Sequence, residues 1–104
     1  MSNQSFNPDF FIKIEKDSFT SFIVVEIKAD GDVTDENKAK YKYALKHFEN
    51  LNQKLKEEWK NEQYLFHFLS PNGYADFFEY LKDGKLLEEQ SKFRCELERL
   101  LENI

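Results

Sequence analysis

Apolar positions along this chain follow first a strand period and then a helical one. Phe10 to Ile14, FFIKI, is a short apolar run that reads as a strand. Phe19 to Lys28, rich in β-branched and aromatic residues, reads as a second. Between them Glu15 to Ser18, EKDS, is a tight polar connection, so the two runs are expected to pair as an antiparallel hairpin. Ala29 to Asn37 is polar, contains Gly31, and reads as a loop.

From Thr34 or Asp35 to about Lys60 the spacing predicts a helix. Tyr41, Ala44, Leu45, Phe48, Leu51 and Leu55 recur at intervals of three and four and form one apolar stripe. Thr34 is the expected N-cap, and Asn37 a weaker candidate. Glu62 to Ser70, EQYLFHFLS, is apolar nearly throughout, as expected of a central strand covered on both faces. Asn72 is placed to cap a short helix whose apolar face is Tyr74, Phe77, Phe78 and Leu81, with Asp83-Gly84 as its stop. From about Leu86 a last helix carries Leu86, Phe93, Leu97, Leu100 and Leu101. The order strand, strand, helix, strand, helix, helix implies a single α/β domain over residues 1–104, with a mixed β-sheet flanked by helices.

Composition narrows the class. Eleven Phe, five Tyr and one Trp can supply a core for a chain of 104 residues. The single cysteine, Cys95, excludes an internal disulfide and a cysteine-based zinc cluster, and favours a reducing, cytoplasmic setting. The start, MSNQSFNPDFF, does not read as a signal peptide, and no run approaches the roughly 18 apolar residues of a membrane span. A net charge of −5 weighs mildly against a dedicated nucleic-acid binder, although a metal site would account for part of the acid.

The candidate chemistry lies where charge interrupts the two strands. Side chains alternate faces along a strand, so Ile23, Val25 and Ile27 point one way, and Val24, Glu26 and Lys28 the other. Glu26 and Lys28 then stand side by side, about 7 Å apart along the strand. Asp9 opens the neighbouring strand and can approach Glu26. Pro8 is tolerated before it because a strand's first residue need not donate to the ladder. Two carboxylate oxygens are what Mg²⁺ takes from a protein, with waters completing its shell. A lysine beside them can orient a water or neutralise a phosphate.

Pro8-Asp9, sixteen residues, and then Glu26-Ile27-Lys28 resembles the PD-(D/E)XK motif of the restriction-endonuclease-like superfamily. The resemblance covers Phe6 to about Ser70. With the Lys/Tyr-rich stretch ENKAKYKYALKHFENLN, it is most similar to the nuclease domains of type III restriction subunits and other helicase-linked enzymes. It implies a metal-dependent endonuclease acting on DNA phosphodiesters with Mg²⁺ (or Mn²⁺). Asp9, Glu26 and the Ile27 carbonyl would be ligands, and Lys28 would serve the attacking water. Lys38, Tyr41 or Lys42 would meet the DNA backbone. A helicase or translocase region or subunit is the implied partner.

The superfamily core begins with a helix and a further strand, and only seven residues precede Pro8 here. The chain therefore reads as a partial core, the C-terminal fragment of a larger enzyme or a degenerate relative. An exposed sheet edge would follow, and with it homodimerisation through that edge.

The remaining residues have plainer readings. His47 reads as a half-buried helix residue. His67 should face opposite to Phe66 and Phe68 and lacks a second ligand at metal spacing. Cys95 reads as packing. Trp59 and Tyr64 read as anchors of a helix end against the sheet, with base stacking as the functional alternative. Phe77, Phe78, Tyr80 and Leu81 read as core. KLKEEWKNE reads as a solvated face, and the carboxylates of ADGDVTDE do not match a calcium loop. Two rivals to the nuclease stand: a catalytically inactive module of the same fold that binds protein or DNA, and an unrelated α/β interaction domain in which Lys28 merely pairs with Glu26.

Overall fold

A computed structural model describes residues 8–87 and 93–102. The first apolar run is strand β1 (Phe10–Lys16) and the second is β2 (Phe19–Ile27). They pair antiparallel from Phe10 opposite Val25 to Lys16 opposite Phe19. Only Asp17 and Ser18 turn the chain, both at positive φ (54° and 66°). Two such residues match the right-handed twist of the flanking strands. The hairpin is thus tighter than the polar run suggests, because Glu15 and Lys16 stay in the ladder.

Helix α1 (Asp35–Glu57) begins where the capping signal places it. The Thr34 hydroxyl accepts the Asn37 N–H at 3.0 Å, and Asp35 and Glu36 lie in the first turn, where their charge suits the dipole. It ends three residues before Lys60. The Lys60 N–H reaches back to the Leu55 carbonyl (2.9 Å) and the Trp59 N–H to that of Lys56 (3.1 Å). This closure requires a left-handed residue at Trp59, whose φ is 61°.

Strand β3 (Glu62–Leu69) runs parallel to β2, from Thr20 beside Glu62 to Ile27 beside Leu69. The sheet order is β1-β2-β3. The central strand is therefore β2, not β3 as its apolar run suggests. Phe66, His67, Phe68 and Leu69 are nonetheless all buried, because helices lie on both faces of β3. On one face Tyr41 and Phe48 of α1 pack on Phe66, Tyr41 on Phe68, and Phe48 on Tyr64. The other face presents Ile23, Val25, His67 and Leu69 to the C-terminal elements.

A single 3₁₀ turn (Pro71–Gly73) leads into α2 (Tyr74–Lys82), and α3 (Glu96–Glu102) closes the described chain. Phe77 of α2 and Phe93 pack edge-on against the His67 ring. Asn72 does not cap α2: its N–H donates to Asp30 at 2.9 Å and its side chain to Glu96 at 3.2 Å. Asp83 and Gly84 (φ 74°) do end α2. Phe78 lies on the outer face of α2 rather than in the core. Leu86 falls in a second 3₁₀ turn (Lys85–Leu87) and Phe93 precedes α3 outside any helix, so the expected single helix from Leu86 is not formed at these positions; residues 88–92 lie outside the described residues. The molecule is an α/β fold with a mixed three-stranded sheet flanked by helices. Among the described residues no helix is long and apolar enough to cross a membrane.

Candidate functional site

The alternation along β2 sends Val24, Glu26 and Lys28 to the α1 face, where Glu26 lies beside Phe68 of β3. Glu26 is 4% exposed, although it sits near the end of its strand. Burial of a carboxylate needs compensating charge, and two lysines supply it. Lys28 Nζ lies 3.0 Å and Lys40 Nζ 2.9 Å from the same oxygen, Oε2. Lys28 is held further by its backbone, which donates to the Leu69 carbonyl at 2.9 Å, and by the Phe68 ring 5.2 Å below its ammonium. The other carboxylate oxygen, Glu26 Oε1, is buried and has no hydrogen-bond partner.

Asp9 lies just before the first β1–β2 pair, Phe10 opposite Val25. Its N–H donates to the Val25 carbonyl at 2.8 Å, and its Oδ2 accepts the Ile27 N–H at 2.6 Å. Asp9 thus extends the ladder with its side chain, which explains why Pro8 can precede it. A strand residue turns its N–H and C=O to the same neighbour, so the Ile27 carbonyl also faces the Asp9 side.

The α1 face of β1 is open. Helix α1 packs on β3 and meets β2 through Lys40 and Glu26, whereas Phe11, beside Val24, is 61% exposed and Lys13 and Glu15 are exposed with it. Among the described residues no three of His, Cys, Asp and Glu are grouped so as to hold a metal ion.

Of the helix residues expected at the DNA backbone, Tyr41 is misplaced by that expectation. It is 1% exposed, faces the core, and its hydroxyl donates to Glu98 at 3.0 Å. Lys38 pairs with Asp35 at 3.6 Å and Lys42 is exposed. Four residues apart, they share one flank of α1, while Lys40, which sequence reasoning passed over, lies on the flank above Glu26. Its signal was present: it stands four residues before Ala44 and so borders the buried stripe. Sequence alone did not say which flank faces the charged strand.

The other singled-out residues fall elsewhere. His67 is buried, with Nδ1 3.1 Å from Glu98 Oε2. Cys95 is buried, its N–H donates to Glu98 at 3.1 Å, and burial raises the thiol pKa above its ordinary value. Glu98 itself, wholly buried, was not anticipated. Tyr64 does anchor α1, stacking on Phe22 and Phe48, and Asn52 holds both its backbone N–H and carbonyl. Trp59 does not: it is 91% exposed, because its left-handed backbone turns it away from the sheet. His47 is exposed rather than half-buried and lies edge-on to Phe48. Comparison with protein-family models, curated proteins and solved structures finds no match for this chain.

Proposed function

We propose that this chain is a metal-dependent nuclease domain that hydrolyses DNA phosphodiester bonds with Mg²⁺ or Mn²⁺, within a restriction enzyme of the type III kind or a repair enzyme that includes a helicase or translocase region. The observation that carries this reading is Glu26 Oε1, a buried oxygen without a partner on a carboxylate whose other oxygen meets two ammonium groups. An orphaned buried acceptor is costly for stability, and a cation would satisfy it. The donor set is all oxygen, which suits Mg²⁺ or Mn²⁺.

In this reading Glu26, Asp9 and the Ile27 carbonyl would hold the metal, which would supply a water of lowered pKa and offset charge on the phosphate. Lys28, fixed over Phe68 and by the Leu69 carbonyl, keeps its ammonium beside Glu26 and can hold a proton or a phosphate oxygen there. The open face of β1 would admit the DNA strand. The resemblance of Pro8-Asp9…Glu26-Ile27-Lys28 to the PD-(D/E)XK motif, in a strand-strand-helix-strand order on a mixed sheet, supports the same assignment.

The test is calorimetric titration with Mn²⁺ and Mg²⁺ of the native chain and of Glu26→Ala, followed by cleavage of plasmid and single-stranded DNA. Saturable binding in the native chain alone, with metal-dependent cleavage, is expected. Equal binding by both proteins would overturn the site assignment. The alternative is an inactive module of the same architecture that binds protein or DNA. In its favour is the neutralisation of Glu26 by two lysines in the structure itself, and cation binding without cleavage would select it.

A further inference from the structure

Glu26 carries one negative charge, and two ammonium groups stand on it. Lys28 Nζ and Lys40 Nζ lie 3.0 Å and 2.9 Å from the same oxygen, Oε2. Among the described residues no second carboxylate comes within ion-pair distance of either ammonium. The cluster therefore holds one positive charge that it does not balance itself. That charge is largely removed from water, because the Lys28 side chain is 19% and the Lys40 side chain 21% exposed. A desolvated cation without a counter-charge is costly. The exposure that remains is the route by which a solute reaches both ammonium groups.

The lining decides which solute fits. An ammonium has three donors and no acceptor, so the ligand must accept hydrogen bonds and carry negative charge. Lys40 spends one donor on Glu26. Sharing one oxygen keeps the two nitrogens within about 6 Å of each other, so a single tetrahedral oxyanion can accept a bond of ~2.8 Å from each. The pair is also prepared in advance. Lys28 is fixed by the Leu69 carbonyl and the Phe68 ring, and Glu26 draws Lys40 from α1 to its side. The repulsion between two neighbouring ammonium groups is thus offset before any ligand arrives.

We propose that Lys28 and Lys40, gathered by the buried Glu26, form a binding site for a phosphate group. Lys40 lies outside the Pro8-Asp9…Glu26-Ile27-Lys28 pattern and is brought to it by the packing of α1. The two ammonium groups suffice for the phosphate, so the inference does not depend on a metal ion. A nucleic-acid backbone and a small phosphate ester share this chemistry.

The experiment is titration of the native chain with inorganic phosphate, followed by the amide NMR signals of Lys28 and Lys40. EDTA is present throughout and sodium chloride holds the ionic strength constant. Saturable shifts at both residues are expected. Lys28→Met and Lys40→Met each keep the apolar stem and leave Glu26 paired with the other lysine. Each, checked for folding by its thermal transition, should bind phosphate about tenfold more weakly, the loss of one close charge in a partly buried site. Lys40→Arg should bind as the native chain does, and so should Lys38→Met, whose lysine pairs with Asp35 on the other flank. A labelled DNA duplex, titrated in the same buffer by fluorescence anisotropy, separates the sources. A parallel loss of duplex affinity in Lys40→Met assigns the site to backbone phosphate, and unchanged duplex affinity assigns it to a small phosphate ligand. The absence of saturable shifts at Lys28 and Lys40 in the native chain would overturn the proposal, as would native phosphate affinity in folded Lys40→Met. Because EDTA removes divalent cations, failure of the metal reading leaves each of these results unchanged.

Discussion

The hydroxyl of Tyr41 on α1 donates to the carboxylate of Glu98 on α3 at 3.0 Å, and the same carboxylate meets His67 Nδ1 on the opposite face of the sheet at 3.1 Å. Glu98 is thus a buried clasp that joins helices on the two sides of β3. It also accepts the Cys95 N–H at 3.1 Å, the carboxylate half of a capping box at the start of α3. Tyr41→Phe should fold and lose about 1.5–3 kcal/mol, the value of one hydrogen bond to a charged group. Glu98→Ala, which strands three buried partners, should lose about 3–5 kcal/mol. Urea denaturation measures both, and equal small losses would refute the clasp.

The same contact predicts an alkaline instability. Burial, and then the charge of Glu98, raise the Tyr41 pKa far above its ordinary value, against a smaller opposing effect of Arg94. A group with a raised folded pKa favours the folded state while protonated. Its contribution is complete below the unfolded value of about 10 and is lost as pH rises beyond that. Above pH 10 the native chain should therefore lose up to about 1.4 kcal/mol per pH unit from this residue. Tyr41→Phe should lack that component. Melting curves at a series of pH values compare the two slopes, and identical slopes would remove Tyr41 as their source.

Asp9 separates structure from chemistry at the site. Its Oδ2 accepts the Ile27 N–H, a role that an asparagine oxygen can keep. Asp9→Asn should therefore melt within about 1 kcal/mol of the native chain and yet, if the proposed metal site holds, lose Mn²⁺ affinity, because one of its two carboxylate charges is removed. Native affinity in a folded Asp9→Asn protein would exclude Asp9 as a ligand.

Trp59 occupies the position after α1 that usually belongs to glycine, at φ 61° and with its ring 91% exposed. A side chain in this region is strained by about 1–2 kcal/mol, partly offset by the greater entropy of an unfolded glycine. Trp59→Gly should therefore raise stability by up to about 1 kcal/mol, read from the urea midpoint by circular dichroism. A loss of that size instead would mean that the indole contributes packing its exposure does not suggest.

Gly73 is constrained from the other direction. A Cβ there would lie 2.7 Å from the Cβ of Cys95, an atom next to backbone that cannot swing away. Gly73→Ala should cost about 1–3 kcal/mol through overpacking between the turn before α2 and the start of α3. A native melting temperature in that variant would show that the two segments can separate freely.

Local periodicity by itself determined much of this protein. Alternation along FIVVEIK set Glu26 and Lys28 on one face because successive side chains of any strand must diverge. The stripe from Tyr41 to Leu55 fixed which side of α1 is buried, and Thr34 where the helix starts, since both depend on residues within a turn or two. Tertiary structure decided the rest. The central place of β2 arises from parallel pairing of Thr20–Ile27 with Glu62–Leu69 across an intervening helix, which no local pattern records. Helical phase places Lys38 and Lys40 on opposite flanks of the stripe, and only the path of the β2–α1–β3 crossover determines which lies over Glu26. Tyr41 and Glu98 meet across 57 residues of sequence. Side-chain period is a property of a few neighbouring residues, whereas a buried ion pair depends on how whole elements pack.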